Sequence, residues 1–406
     1  MLMRLQGFLF ALTMGFILTY ASFPVEALNS RGAIRIFGNG DFTPANGIVG
    51  GSGTQNDPYI IEGWIIEGAH ELPGIWLGNT DAYVVIRNCV VKFSYDAGIK
   101  LENVKNVLIE NVTLSANHYN VHVYGSRNVK ISHCMLVNTR EDVVYIWGSS
   151  DITLADSRIE NGRYHSLYMK DVENALIAKC VISNSLYGVY AESSTNITIS
   201  SCTIRDNLGD GVNFYSVLNS TISKCKIYSN EDHGVYLDVS SRIRVEGCEI
   251  INSSLGIWLN PAFECKIIQN VFSNINLNAQ DDGERNLWEM NQWSDYKGVD
   301  LNGDGYGDMP YRILGRANAT DNKPVFSETP QPTPTPQTSP SPRPPHSPTP
   351  PQTPQPTPSP SYSPTPSPYT PEAQGSFPIQ LIVAVIAIAL ILLATALLRY
   401  KRRVKT

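Results

Sequence analysis

From Tyr59 to about Asn286, apolar and polar positions alternate in short runs, as in Ile197-Thr198-Ile199 and Val235-Tyr236-Leu237. A period of two is the signature of a strand, not a helix. The runs themselves recur about every 23 residues. They read YVVIRNCVV, VKISHCMLV, ALIAKCVIS, ITISSCTIR, STISKCKIY and IRVEGCEII. Each continues through Asn and a short turn into a segment such as GVYAESSTN, GVYLDVSSR or GIWLNPAFE. A unit this short cannot bury its own apolar face and must stack on its neighbours. Leucine-rich repeats share the length but need a Leu/Asn consensus that these runs lack. The Gly, Asn, Asp and Ser residues between the runs suit tight turns. The pattern predicts an all-β chain: a right-handed parallel β-helix of about ten rungs, each rising about 4.8 Å.

Stacking in register turns repeated positions into columns. One is an inward Cys column: Cys89, Cys134, Cys180, Cys202, Cys225 and Cys248, with Val112 and Ser157 in the same slot of other rungs. Another is a turn column of Asn117, Asn138, Asn161, Asn184, Asn207, Asn230, Asn252 and Asn274. A third points outward: Trp76, Lys100, His122, Tyr145, Tyr168, Tyr190, Asn213, Tyr236 and Trp258. Beside it runs Glu102, Tyr124, Trp147, Lys170, Glu192, Tyr215, Asp238 and Asn260.

The ends of the chain change the picture. Residues 1–27 read as a signal peptide: Arg4, an apolar run from Leu5 to Tyr20, then a small-residue cleavage site at Val25-Glu26-Ala27 or after Ala21. Residues 28–58 are expected to cap the solenoid, 59–290 to form the β-helix and 291–326 to cap its other end, since an open strand edge invites aggregation. In 327–376 Pro alternates with Ser, Thr and Gln, a composition too polar to fold, which reads as a semi-extended stalk. Residues 377–398 are apolar over the length needed to cross a bilayer, and the basic tail 399–406 places the C-terminus in the cytoplasm. The expected protein is single-pass, with its β-helix at the cell surface. Asn111, Asn196, Asn219 and Asn318 lie in glycosylation patterns, as does Asn252, which also belongs to the turn column. A net charge of −6 argues against a nucleic-acid partner.

Two strings flank the rungs: GSGTQNDPYIIEGW (51–64), and NQWSDYKGVDLNGDGYGDMPY (291–311) followed by Asp321-Asn322-Lys323-Pro324. With the rungs, they resemble the NosD-like branch of the parallel β-helix repeat proteins, within the wider carbohydrate-binding and sugar-hydrolysis group of β-helices. The resemblance covers about residues 34–326. In its order of leader, β-helix, stalk and C-terminal anchor, the chain also resembles many archaeal surface proteins. The resemblance implies the fold. It also implies copper-site maturation as an alternative role, from which this chain departs by its stalk and anchor.

The chemistry divides by column. Thiols on parallel rungs point the same way and cannot converge on one metal at about 2.3 Å. The cysteines, seven in all with Cys265 outside the column, read as small buried groups, with a bridge between neighbouring rungs as the alternative. The Asn column reads as structural. The outward columns are the ligand-binding candidates: Trp76, Tyr145, Trp147, Tyr168, Tyr190, Tyr215, Tyr236 and Trp258, aromatic groups beside carboxylates and amides as sugars require. The plainer reading is that aromatics are favoured in strands and support one another. The expected partner is a polysaccharide, surface glycan or envelope protein.

An enzyme is the competing reading. Glycoside hydrolysis needs two carboxyl groups about 5–9.5 Å apart. Glu192 and Asp238, two rungs apart, would stand about 9.6 Å apart. Asp210, Asp232 and His233 lie on turns before the face. The paired-Asp signature of polygalacturonases is missing, as is the base-and-calcium cluster of pectate lyases. Finally, DLNGDGYGD (300–308) has calcium-loop spacing: Asp300, Asn302, Asp304 and Asp308 at positions one, three, five and nine, with the Tyr306 carbonyl. Position twelve is Tyr311 rather than Glu, and Pro310 forbids an EF-hand helix. A calcium ion is the one cofactor expected, with no organic cofactor; the alternative is a metal-free turn that caps the solenoid.

Overall fold

The computed structural model describes residues 28–68 and 72–327. The expected signal peptide, nearly all of the stalk, the apolar segment and the basic tail lie outside these residues. Among the described residues, no helix is long and apolar enough to cross a membrane.

Strands stack in parallel into three sheets. The first has twelve, from Asn29–Arg31 and Trp64–Glu67 through Met135–Val137 to Gln292–Trp293. The second carries Ile34–Phe37, Ile75–Thr80, Tyr119–Tyr124, Val144–Trp147, His165–Lys170, Tyr187–Glu192 and Val212–Tyr215. The third runs beside it through Arg127–Ser132, Ser150–Ala155, Glu173–Ala178 and Thr195–Ser200. Single strands such as Ala97–Glu110, His233–Ser241 and Leu255–Phe263 pass unbroken from the second sheet toward the third. The alternation seen in the sequence is the reason for the fold: alternate members of each strand face inward. Ile204, Ile227 and Ile250 are fully buried one above another, as are Phe214, Leu237 and Leu259.

The corners are made by left-handed residues followed by an inward side chain. At one corner Asn88, Asn111, His133, Lys179 and Ser201 have φ of 50–55°. The next residue is the Cys column, whose members are all buried and unbridged. Burial pushes the thiols of Cys89, Cys134 and Cys265 up to about 11. The slot continues past Cys248 into Asn270 and Asn291, each accepting the backbone N–H of the rung before. Cys265 sits at a different corner, one rung after Ile243.

The single Asn column resolves into two neighbours. Asn138, Asn161, Asn184 and Asn252 take the left-handed position, φ 55–60°, whereas Asn117, Asn207 and Asn230 are the buried residues that follow it. Ile182 pairs with Ile204, a step of 22, so Asn184 faces Asp206 and not Asn207. The step of 23 from Asn184 to Asn207 crosses from one column to the other.

At each end of the solenoid the chain folds against the terminal rungs. Residues 29–37 already pair into the first and second sheets and begin the solenoid. The segment after them folds back, with Phe42 stacked on Tyr59 at 4.1 Å and Trp64 Nε1 donating to the Gly47 carbonyl. At the other end Phe272, Trp293 and Tyr311 form a stack with centroid spacings of 4.7 and 4.1 Å. Buried Asp321 accepts from Asn291 N, Asn291 Nδ2 and Trp293 Nε1.

Candidate functional site

The second sheet sets out the expected outward columns in full register. Trp76 pairs with Lys100, then follow His122, Tyr145, Tyr168, Tyr190, Asn213, Tyr236 and Trp258. The companion column aligns equally: Glu102, Tyr124, Trp147, Lys170, Glu192, Tyr215, Asp238 and Asn260. A third row, three residues upstream of the first, completes the face. The same register puts Tyr119, Asp142, His165, Tyr187, Asp210 and His233 on successive rungs. Of these, the sequence singled out Asp210 and His233. The rest belong to no motif, and their one signal is a spacing of one rung between Asp and His.

That spacing builds two hydrogen-bonded dyads. His165 Nδ1 lies 2.8 Å from Asp142 Oδ1, which also accepts the His165 backbone N–H at 3.0 Å. His233 Nδ1 lies 2.6 Å from Asp210 Oδ1, which accepts the His233 N–H at 3.2 Å. A carboxylate on Nδ1 places a ring proton there, and in the neutral ring Nε2 is then the acceptor. Both acids are buried. Asp210 Oδ2 also accepts from Asn213 Nδ2 at 2.6 Å.

The tyrosines use their faces on one another. Tyr145 stacks on Tyr168 at 5.1 Å and Tyr168 on Tyr190 at 5.6 Å, with interplanar angles of 17° and 12°. They present edges and hydroxyls outward. Tyr236 and Trp258 meet at 5.3 Å, and Asn260 Nδ2 donates to Tyr236 Oη. Trp76 is covered by the edge of Phe37 at 4.7 Å and by Lys100 Nζ at 4.8 Å. Ring area open to solvent lies instead in the companion column, where Tyr124, Trp147 and Tyr215 are each 41% exposed. Burial raises Tyr145, Tyr168, Tyr187, Tyr190 and Tyr236 above the ordinary phenol range, and Tyr119 up to about 12. These hydroxyls stay protonated near neutral pH and act as donors. Burial, then Lys100, lowers His122.

The four candidate acids have different surroundings. Both oxygens of Glu192 are occupied, by Lys170 Nζ at 2.7 Å and Tyr168 Oη at 2.9 Å. The Lys170 bond holds its carboxyl below the usual range. Burial raises Asp238. Tyr215 stands between them in the column. Asp210 is committed to His233 and Asn213, while exposed Asp232 lies 3.4 Å from His233 Nδ1.

Among the described residues, one group of acids and imidazoles converges within 4.8 Å: Asp210, Asp232 and His233. The carboxylates of the 300–308 loop are not in such a group. They bind their own backbone: Asp300 accepts from Gly303 N, Asp304 N and Gly305 N, Asn302 from Asp304 N, Asp304 from Tyr306 N, and Asp308 from Leu301 N. The glycosylation candidates Asn111, Asn196, Asn219 and Asn318 are all exposed left-handed residues. Asn111 and Asn196 commit Nδ2 to Asn88 and Asn174 on the preceding rungs, whereas Asn219 accepts from Arg242 through Oδ1.

A family model described as "Right handed beta helix region" matches residues 73–154 and 142–286, together just over half of the chain. No curated protein matches by sequence. Among solved structures, the chain is similar to the Azotobacter vinelandii mannuronan C-5 epimerase AlgE6 A-module, at 13% identity and a TM-score of 0.49, over 58% of this chain and 77% of that one. It is also similar to the periplasmic alginate epimerase AlgG, at 12% identity and a TM-score of 0.43, over 64% and 85%. The surface adhesin PfbA of Streptococcus pneumoniae gives 14% identity and a TM-score of 0.40, over 66% and 77%. At this level of likeness, none bears on what this chain binds.

Proposed function

The chain belongs to the right-handed β-helix family, and from that premise we propose that it is a surface module that binds polysaccharide or envelope glycan along its second sheet. One observation carries the reading: three columns of aromatic, imidazole and carboxylate side chains stand in continuous register on one face. Sugars are held by such combinations, hydroxyls by buried acceptors and donors, C–H faces by exposed rings. Here His Nε2 and the tyrosine hydroxyls supply the first and Tyr124, Trp147 and Tyr215 the second. The plainer account, mutual support among strand aromatics, covers the stacked tyrosines and the Tyr124–Trp147 pair at 5.2 Å, but not the exposure that all three rings retain.

The same proposal includes the sequence-derived ends: leader, stalk, single membrane span and cytoplasmic tail, with Asn219 and Asn318 as the favoured glycan acceptors. The NosD-like assignment belongs to it as well, on the strings at 51–64 and 291–311. Copper handling finds less support, since the soft thiol ligands are all buried and copper favours them.

A second reading has a specific observation behind it. Glu192 and Asp238 titrate in opposite directions, as a base and an acid do, at about the separation of an inverting hydrolase. The two protein donors already on Glu192 oppose it.

A glycan array probed with the full chain separates the readings. Binding that is lost in the combined Tyr168→Ala, Tyr190→Ala, Tyr236→Ala variant, with melting behaviour retained, supports the module. Release of reducing ends, abolished by Asp238→Asn, would replace it with the hydrolase.

A further inference from the structure

The upstream row of the face repeats every three rungs: Tyr119, Asp142, His165, then Tyr187, Asp210, His233. The aromatic surroundings repeat with it in part, although His165 also stacks on Tyr187 at 5.4 Å where His233 pairs with Leu255, and Asp232 lies beside His233 alone. His165 lies 5.0 Å from the Tyr168 ring and 5.2 Å from Tyr190; His233 lies 5.1 Å from Tyr236 and 5.4 Å from Trp258. Each imidazole is held by a buried carboxylate through both its ring nitrogen and its backbone N–H. The fold does not require this. Ala97, Leu255 and Leu277 occupy the same slot in other rungs with the same parallel pairing.

We propose that the two dyads are equivalent subsites, about 14 Å apart along the axis, and that their ligand is a linear polysaccharide without charged groups that spans both. The inference rests on the glycan-binding reading of this sheet. Repetition along the axis selects a periodic ligand over a small molecule. Charge selects its class. The three columns carry Glu102, Asp142, Glu192, Asp210 and Asp238, against Lys100 and Lys170. Both lysines are already paired, with Asp96 at 3.3 Å and Glu192 at 2.7 Å. A uronate or sulfated chain would bring further negative charge to carboxylates with no free ammonium in these columns to offset it. Hydroxyls, by contrast, find acceptors at both Nε2 atoms and donors at the Tyr190 and Tyr236 hydroxyls, since Tyr168 already donates to Glu192.

The test is calorimetric titration of the full chain with cello-oligosaccharides too short and long enough to span both dyads, and with oligo-alginate as the anionic counterpart. Spanning oligomers are expected to bind ~100-fold tighter than short ones, because the second contact is intramolecular. His165→Asn and His233→Asn each keep a nitrogen near the place of Nδ1 and remove Nε2. Each is expected to reduce the long oligomer to the affinity of the short one, and the double variant to lose both. Melting curves establish that the variants fold; should either fail to, the length dependence of the unaltered protein decides alone. Affinity independent of length, a silent dyad, or equal binding of oligo-alginate overturns this inference while leaving glycan binding in place. No binding to any glycan, on the array or in solution, overturns both.

Discussion

Glu192 and Asp238 share a column two rungs apart, yet their surroundings push them in opposite directions. Glu192 is depressed, chiefly by its Lys170 bond. The stability linked to it is present above the ordinary glutamate value of 4.5 and is lost as the pH falls through the lower folded value. Exposure and screening limit it, so Glu192→Gln is expected to cost a few tenths of a kcal/mol at neutral pH and nothing in strong acid. Asp238 is raised by burial. The stability linked to it is present below 3.8 and is lost as the pH rises through its raised folded value. Asp238→Asn, neutral at every pH, should therefore be the more stable protein at neutral pH. Denaturant midpoints of both variants across the acid range check the signs; the same sign for both would contradict the environments described. The positions of these carboxyls were legible in the sequence, because both belong to strands whose register is fixed by inward Val189 and Ala191 and by inward Val235 and Leu237. The dyads were not. Asp142 and His165 are 23 residues apart, and a contact between adjacent rungs looks like any other distant pair until the strands are aligned. The stacking of Tyr145, Tyr168 and Tyr190 was equally hidden: a column of rings can be read from a sequence, but not whether the rings face solvent or each other.

At the scale of the repeated element, corners and strands follow different rules, and this is where the sequence reading slipped by one residue. The turns absorb the difference between a rung of 22 and a rung of 23, so the strands keep their register and Ile204 still lies over Ile182. Corner positions come as a left-handed residue and then a buried one, and Asn serves at both, which is how two columns were merged into one. The two kinds of Asn should respond differently. Asn207 Oδ1 accepts Ser185 N at 3.1 Å, and its Nδ2 donates to Asn230 at 2.8 Å, all of it buried. Asn207→Ala leaves a buried amide without an acceptor and is expected to cost ~1–3 kcal/mol. Asn161, at φ 60° on the exposed corner, should tolerate Gly with little loss, since Gly adopts that conformation freely. Equal losses in chemical denaturation would contradict the division. The loop 300–308 is an element of a third kind. Its Asp and Asn side chains fold it onto its own amides around Gly303 and Gly305, both left-handed. If the calcium expected from its spacing binds there, millimolar calcium raises the melting temperature by a few degrees and Asp304→Ala cancels the rise; an unchanged melting curve leaves a metal-free turn.

Over the whole solenoid, each rung contacts only the rungs beside it, so stability is approximately a sum along the axis and an end that loses its cap can fray without unfolding the rest. The C-terminal end is held by one residue in particular. Asp321, fully buried, accepts three N–H groups from Asn291 and Trp293 and extends the inward slot that runs back through Asn270 to Cys248. The string Asp321-Asn322-Lys323-Pro324, part of the NosD-like resemblance, thus sits at this end of the solenoid, outside the rungs that the β-helix family model matches. Asp321→Ala removes the acceptor of three buried donors and is expected to loosen the end rather than the body. Hydrogen exchange should quicken at Gln292–Trp293 and Val271–Ser273, less at Glu249–Ile251, and not at Met135–Val137. The ligand face inherits the same gradient: the His233 dyad is three rungs nearer that end than the His165 dyad, so the variant should weaken the former first. A uniform rise in exchange along all rungs would show instead that the solenoid opens as one cooperative unit, and would remove the grounds for treating the two dyads as separable sites.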